Sequence, residues 1–181
     1  TIDDVYSYSG DFGFITNSKP ERDSTSFYGQ GTWNHSDSLR TVFGLRYTKD
    51  EVNSAVTNFY GRSGTDILET DGNKVTGRFV IEKDLDDNTM LFGSYTRGYK
   101  PGGSNLTYGR ENIIAPIVVL PTFNEEIVDA FEIGLKTDLA DGRVRVNTAA
   151  FYYDYEGLQY QATDPEVFEG GVGNIPESEI Y

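Results

Sequence analysis

Apolar and polar residues alternate along much of this chain with a period of two. Over residues 26–34, Phe27, Gly29, Gly31 and Trp33 fall on one side and Ser26, Tyr28, Gln30, Thr32 and Asn34 on the other. Such a segment suits a strand with two unlike faces. After a polar turn at 35–38 the pattern resumes over 39–49, with Leu39, Thr41, Phe43, Leu45 and Tyr47 opposed to Arg40, Val42, Gly44, Arg46 and Thr48. The pair predicts a β-hairpin. A second hairpin is predicted from 74–83 and 89–99 through 84–88, and a third from 127–137 and 143–155 through 138–142. Within 89–99 the faces stay ambiguous, because Met90 and Phe92 lie on one side and Leu91, Tyr95 and Tyr99 on the other. Partial strands are expected at 5–10 and 177–181.

Between the hairpins lie three long connections, 50–73, 100–126 and roughly 161–176. Ordinary domains have loops of median about 4–6 residues and rarely several long ones. Short turns at one end and long loops at the other is the layout of an outer-membrane β-barrel. The charges agree with it. Arg46, Arg78, Lys136 and Arg145 stand mid-strand on the polar side, and each would cost roughly 2–4 kcal/mol against lipid at the midplane. These four, with Glu82 and Glu132, are therefore expected to face a wet lumen. Phe27, Phe43, Leu45, Phe79, Ile81, Phe131, Ile133, Leu135, Val144 and Val146 are left for lipid. Trp33 near a short turn, and Tyr47, Tyr99, Tyr152 and Tyr155 towards the long loops, fit two interfacial aromatic girdles. On alternation alone, a soluble antiparallel sandwich with a solvated polar face is the competing fold.

Composition narrows the chemistry. Fifteen basic residues against 29 acidic ones give a net charge of −14, which disfavours nucleic acid as a partner. The chain has no Cys and a single His, His35, so disulfides, thiolate metal sites and multi-histidine centres are excluded. The longest apolar run, 113–121, is interrupted by Pro116 and is too short to cross a bilayer as a helix. Asp84, Asp86 and Asn88 have calcium-loop spacing, but Thr89 stands where that loop needs Gly, and a plain turn is the better reading. Gly170, Gly171 and Gly173 lack the Lys-Ser or Lys-Thr of a phosphate cradle. Asp154 and Glu156 share a strand face without a visible partner. No catalytic residue, metal ligand or cofactor is assigned, and the chain is not expected to be an enzyme. The segment after the 89–99 strand carries Tyr99, Lys100, Asn105, Tyr108 and Arg110, a mixture of aromatic, amide and cation suited to an acidic or sugar-like ligand.

The strings FYGQGTW, LRTVFGLRYTKDE, MLFGSYTRGYKPGGSN and FNEEIVDAFEIGLKTDLADGRVRVNTAAFYYDYEGLQ resemble the barrel of TonB-dependent outer-membrane receptors. The resemblance covers about residues 27–159, long loops apart. It implies a Gram-negative outer-membrane location and a large antiparallel up-and-down transmembrane β-barrel with short periplasmic turns and long extracellular loops. Its implied partners are membrane lipid, a scarce small-molecule ligand such as an iron chelate, a vitamin or a carbohydrate, and the TonB energy complex, reached through an N-terminal part. Six strands and two partial ones cannot close a lumen that needs a plug. Residues 1–181 are therefore expected to be an internal piece of the all-β barrel, six to eight strands of it, without the plug and the C-terminal strands. The alternative function is a non-transporting outer-membrane or soluble β-sheet module for binding or adhesion.

Overall fold

Where one face of a strand is apolar throughout, register is locked, because a one-residue slip would turn every apolar side chain over. The three hairpins form on that rule. The computed structural model describes residues 5–9, 14–58, 65–105, 120, 122–164 and 169–181. Its strands are β1 (Val5–Ser9), β2 (Phe14–Ser36), β3 (Leu39–Asn58), β4 (Thr65–Asp86), β5 (Thr89–Lys100), β6 (Gly103–Ser104), β7 (Thr122–Phe123), β8 (Glu126–Leu139), β9 (Val144–Asp164) and β10 (Glu169–Ile180). Eight of them make one antiparallel sheet in the order β1-β2-β3-β4-β5-β8-β9-β10, while β6 and β7 pair separately. Apart from that insertion, every strand lies beside its neighbour in sequence, an up-and-down arrangement.

The tight turns after β2, β4 and β8 gather at one end. Asp84 N–H donates to the Ser38 carbonyl and Asp138 N–H to that of Asn88, so each hairpin is tied to the next. Asp86 accepts the Asn88 N–H at 2.8 Å. After β8 the chain reverses through Ala140, Asp141 and Gly142, with φ of 53°, 56° and 78°.

The register sorts the side chains. Gly31, Phe43, Phe79, Tyr95, Phe131 and Tyr152 lie in one row across the sheet, and Gln30, Gly44, Arg78, Thr96, Ala130 and Tyr153 in the adjacent row on the opposite face. The ten residues expected to face lipid share the first face. Arg46, Arg78, Glu82, Glu132, Lys136 and Arg145 share the second. The faces of β5, ambiguous in the sequence, resolve here. Leu91 and Tyr95 are on the apolar face; Met90 and Phe92 are on the polar face. Phe92 covers Gly134, where a Cβ would lie 2.5 Å from its ring. Lys136 sits 5.1 Å from the same ring centre, a cation–π contact that settles an apolar side chain among charges.

Paired charges run down the polar face. Arg40 binds Glu82, Asp84 at 2.9 Å and the Met90 sulfur at 3.2 Å. Arg145 grips both carboxylate oxygens of Asp138, at 2.7 and 2.9 Å. On the other face, Tyr95, Phe131, Tyr152 and Tyr181 form a belt with ring centres 5.1, 6.4 and 5.9 Å apart in turn. The Tyr95 hydroxyl donates to Asp129 at 2.6 Å and that of Tyr152 to Glu179 at 2.9 Å. Arg97 pairs with Asp129 at 2.9 Å. The apolar band thus ends in a charged row towards the loops, as an aromatic girdle requires.

Three expectations need correction. First, much of the connections 50–73 and 161–176 is strand: β3 and β4 continue in unbroken register from Tyr47↔Val75 to Thr57↔Thr65, and β9 and β10 pair from Asp164↔Glu169 onward. Backbone ladders need no apolar face, so polar strand beyond the band carries no alternation to read. Second, Tyr155 pairs with Val128 and belongs to the polar face. Third, Tyr99 leaves the girdle, its hydroxyl lying where a Cβ on Gly72 would be 2.9 Å away. Tyr95 and Tyr181 stand in the belt instead.

Among the described residues only Val80 and Ile127 are buried apolar side chains, while Phe27, Trp33, Leu45 and Ile133 are 73, 65, 65 and 58% exposed. Such a face is stable against lipid and adhesive in water. The 181-residue chain in plain buffer should therefore aggregate and become monodisperse only in detergent. Dispersed amide resonances from a monomer without detergent would contradict this and favour the sandwich.

Candidate ligand-binding site

At the loop end, the small β6–β7 hairpin lies across the polar face. Ser104 bonds the Ser54 hydroxyl of β3 at 2.6 Å. The next residue, Asn105, accepts the Val172 N–H of β10 at 2.8 Å. The Cα atoms of Ser54 and Val172 are thus within about 19 Å, given bond lengths and two hydrogen bonds. Along the sheet they are separated by β4, β5, β8 and β9, five steps of about 4.8 Å, or about 24 Å. The sheet must therefore curl, concave towards its polar side.

Two segments form the base of this arch. Gly102 packs on the other side of the chain so closely that a Cβ would meet the Phe123 carbonyl at 2.6 Å, and Gly103 lies against the Phe123 ring. Gln159 donates to the carbonyls of Pro101 and Asn124, both at 2.9 Å, and Asn174 donates to those of Asn124 and Gly157, at 3.0 and 2.7 Å. The Asn174 side-chain oxygen accepts the Asn124 N–H at 2.7 Å, and Glu126 accepts the Gln159 N–H at 2.7 Å. The strings KPGGSN and FNEE are therefore the two feet of one structure.

Beneath the arch is a cavity of about 990 Å³ whose walls include Asp50, Gly72, Tyr99, Phe123, Glu125 and Tyr160. Asp50 is only 3% exposed and bonds Arg22 at 2.9 Å. Lys74 pairs with Glu125. Tyr99 lies beyond the apolar band. Burial, with the carboxylates of Asp50 and Glu125 nearby, pushes its hydroxyl up to about 12, so it keeps its proton at neutral pH and acts as a hydrogen-bond donor. The Thr70 hydroxyl in the same wall is buried and has no partner among the described residues. The cavity offers aromatic faces beside four carboxylates, Asp50, Asp71, Glu125 and Glu156, of which Asp50 and Glu125 are paired with cations from outside its wall, a mixed surface suited to binding.

Of the five residues named for ligand contact, Tyr99 lines this cavity. Lys100 ends β5 opposite Glu126, exposed and apart from the cavity wall. Asn105 is 4% exposed, and its amide is fully engaged: besides accepting from Val172, it donates to the carbonyls of Leu120 and Val172, at 2.9 and 3.0 Å. It fastens the arch and has no group left for a ligand. Tyr108 and Arg110 lie outside the described residues. Sequence reasoning missed Asp50, Glu125 and Tyr160. Asp50 was masked because it falls in polar strand read as loop, whereas Glu125 stood inside the FNEE string.

The family model for the β-barrel of TonB-dependent receptor-like proteins matches residues 1–181, and the chain belongs to that family. This places it in a barrel of the bacterial outer membrane. The fold is similar to that of the ferric yersiniabactin uptake receptor FyuA from Yersinia pestis, with a TM-score of 0.71 at 20% identity over 92% of this chain and 24% of that one. It is also similar to the ferric-catecholate import receptor Fiu from K12 E. coli (TM-score 0.61, 18% identity, 92% of this chain and 25% of that one). A third is the siderophore receptor PiuA from Acinetobacter baumannii (TM-score 0.61, 22% identity, 92% and 22%). The chain thus spans about a quarter of the length of these receptors.

Gly157 tests the geometry of the site. Its φ is +67° and a Cβ there would lie 2.6 Å from the Glu125 carbonyl, whereas a Cβ added to Gly29 would meet open space within 4 Å. In the detergent-folded receptor, Gly157→Ala should lower the unfolding free energy by about 1–3 kcal/mol, and Gly29→Ala should leave it nearly unchanged. Denaturant titration followed by tryptophan fluorescence measures both.

Proposed function

We propose that the protein of which these strands are part is an outer-membrane receptor that takes up a ferric siderophore, with passage driven by the TonB energy complex. One observation carries this reading: a curled sheet has its charges on the concave side, an aromatic-bordered apolar band on the convex side, and a ligand-sized cavity at the end opposite the tight turns. In a bilayer the convex band meets lipid. Arg46, Arg78, Glu82, Glu132, Lys136 and Arg145 then line a wet lumen, which avoids the roughly 2–4 kcal/mol that each cation would cost against lipid at the midplane. The ligand is held from outside by the cavity walls, through Tyr99 among others. The chain itself performs no covalent chemistry. Coupling to the energy complex belongs to a plug and an N-terminal segment of the intact receptor. Iron is cargo here, not a resident metal. The three similar receptors handle ferric yersiniabactin, ferric catecholates and siderophores by their names, which supports an iron chelate over a vitamin or a sugar.

The test is uptake of ⁵⁵Fe supplied as ferric yersiniabactin or as a ferric catecholate, in a Gram-negative host stripped of its own receptors and expressing the full-length protein. Uptake of at least one chelate, lost when TonB is deleted while surface binding persists, is expected. Binding of neither chelate, or uptake indifferent to TonB, would instead favour a non-transporting adhesion or binding module.

A further inference from the structure

The arch over the concave face is fastened at both ends of its span: side chains of β3, β4, β9 and β10 hold it from the concave side, and Asn105 holds the backbone edge of β10, the last strand of the sheet. Ser54 of β3, which holds Ser104 at 2.6 Å, is completely buried. Lys74 of β4 holds Glu125. Gln159 of β9 and Asn174 of β10 clamp the carbonyl of Asn124 from two sides, and Asn105 exchanges hydrogen bonds with both backbone groups of Val172. Side-chain amides that satisfy backbone donors and acceptors take the place of a β-ladder, and losing one leaves buried polar groups unpaired. Gly102, Gly103 and Gly157 allow backbone approaches that a Cβ would block, at 2.6, 2.7 and 2.6 Å. A loop that swings open in each transport cycle would have to break these contacts together.

We infer that residues 101–105 and 122–125 form a fixed wall of the ligand site, latched to β3 and β10, rather than a lid that opens to admit ligand. The inference rests on the receptor reading above and adds how the site is held. Asn105 and Asn174 are then positioning residues: they set the mouth of the cavity without touching ligand. Entry must pass beside the arch.

Residues 1–181 contain no Cys, so with any cysteine elsewhere in the full-length receptor replaced by Ser, a disulfide can stand in for the Ser54–Ser104 bond. The experiment uses the full-length receptor carrying Ser54→Cys and Ser104→Cys in whole cells, with ⁵⁵Fe supplied as hydroxamate, catecholate and phenolate chelates, with and without a membrane-permeant reductant. The latch predicts near-complete cross-linking in resting cells and the same ⁵⁵Fe uptake in oxidised and reduced cells. Failure to cross-link, or uptake restored at least severalfold only on reduction, overturns it. Complete cross-linking in a receptor that takes up none of the chelates in either state supports the latch and counts against the transport reading. Asn105→Ala provides an independent arm by hydrogen exchange on the detergent-folded receptor. The Val172 amide should exchange about tenfold faster, the factor that one ordinary hydrogen bond carries. An unchanged rate there would overturn the latch as well.

Discussion

Every backbone N–H and C=O inside a bilayer must find a partner within the protein, and the rest of this structure depends on that constraint. It makes each crossing segment a strand, makes each strand pair along its full length, and fixes which side chains look outward. Because the period is two, one choice of register puts all ten apolar residues on one face and all six charges on the other. The pairing of Arg40 with Glu82 and Asp84, and of Arg145 with Asp138, then follows from placing those residues in adjacent rows on one face.

The curvature comes from the same source. A twisted sheet coils in a preferred hand, and residues 104 and 105 reach β3 and β10 at once only because this one has curled. Curling turns a polar face into an interior and leaves room at the loop end for a cavity. The arch depends on glycine at three places where backbone approaches backbone or ring. That explains in physical terms why KPGG and FNEE stand at the ends of a long insertion: one supplies the close approach and the other the carbonyls and carboxylates that lock it.

What was legible in the sequence was whatever the alternation touched. Phe43 against Arg46, or Ile133 against Lys136, declares both strand and face, and the turns at 87–88 and 140–143 begin within about three residues of their expected places. Past the apolar band the signal disappears, since Asn53, Glu69 and Asp71 pair by backbone alone and look like loop in a hydropathy reading. The faces of β5 were hidden for another reason. Phe92 is apolar yet turned inward, because Gly134 opposite leaves a gap that its ring fills. The site was half legible. Tyr99 was identified and does line the cavity, but Asn105 was read as a ligand contact when its buried amide is spent on the backbone. Only tertiary placement distinguishes those two uses of an amide.

The central claim is that neighbouring residues of one strand see different solvents. Single cysteines at Glu132 and Ile133, spin-labelled in the full-length receptor in outer-membrane vesicles, test it most directly through their collision rates with oxygen, which concentrates in lipid, and with a water-soluble nickel chelate. The account predicts oxygen-dominated relaxation at Ile133 and nickel-dominated relaxation at Glu132, with the same contrast between Phe79 and Arg78. Equal access of the nickel chelate to both members of each pair would contradict it, since that is how a sheet with no lipid-facing side behaves.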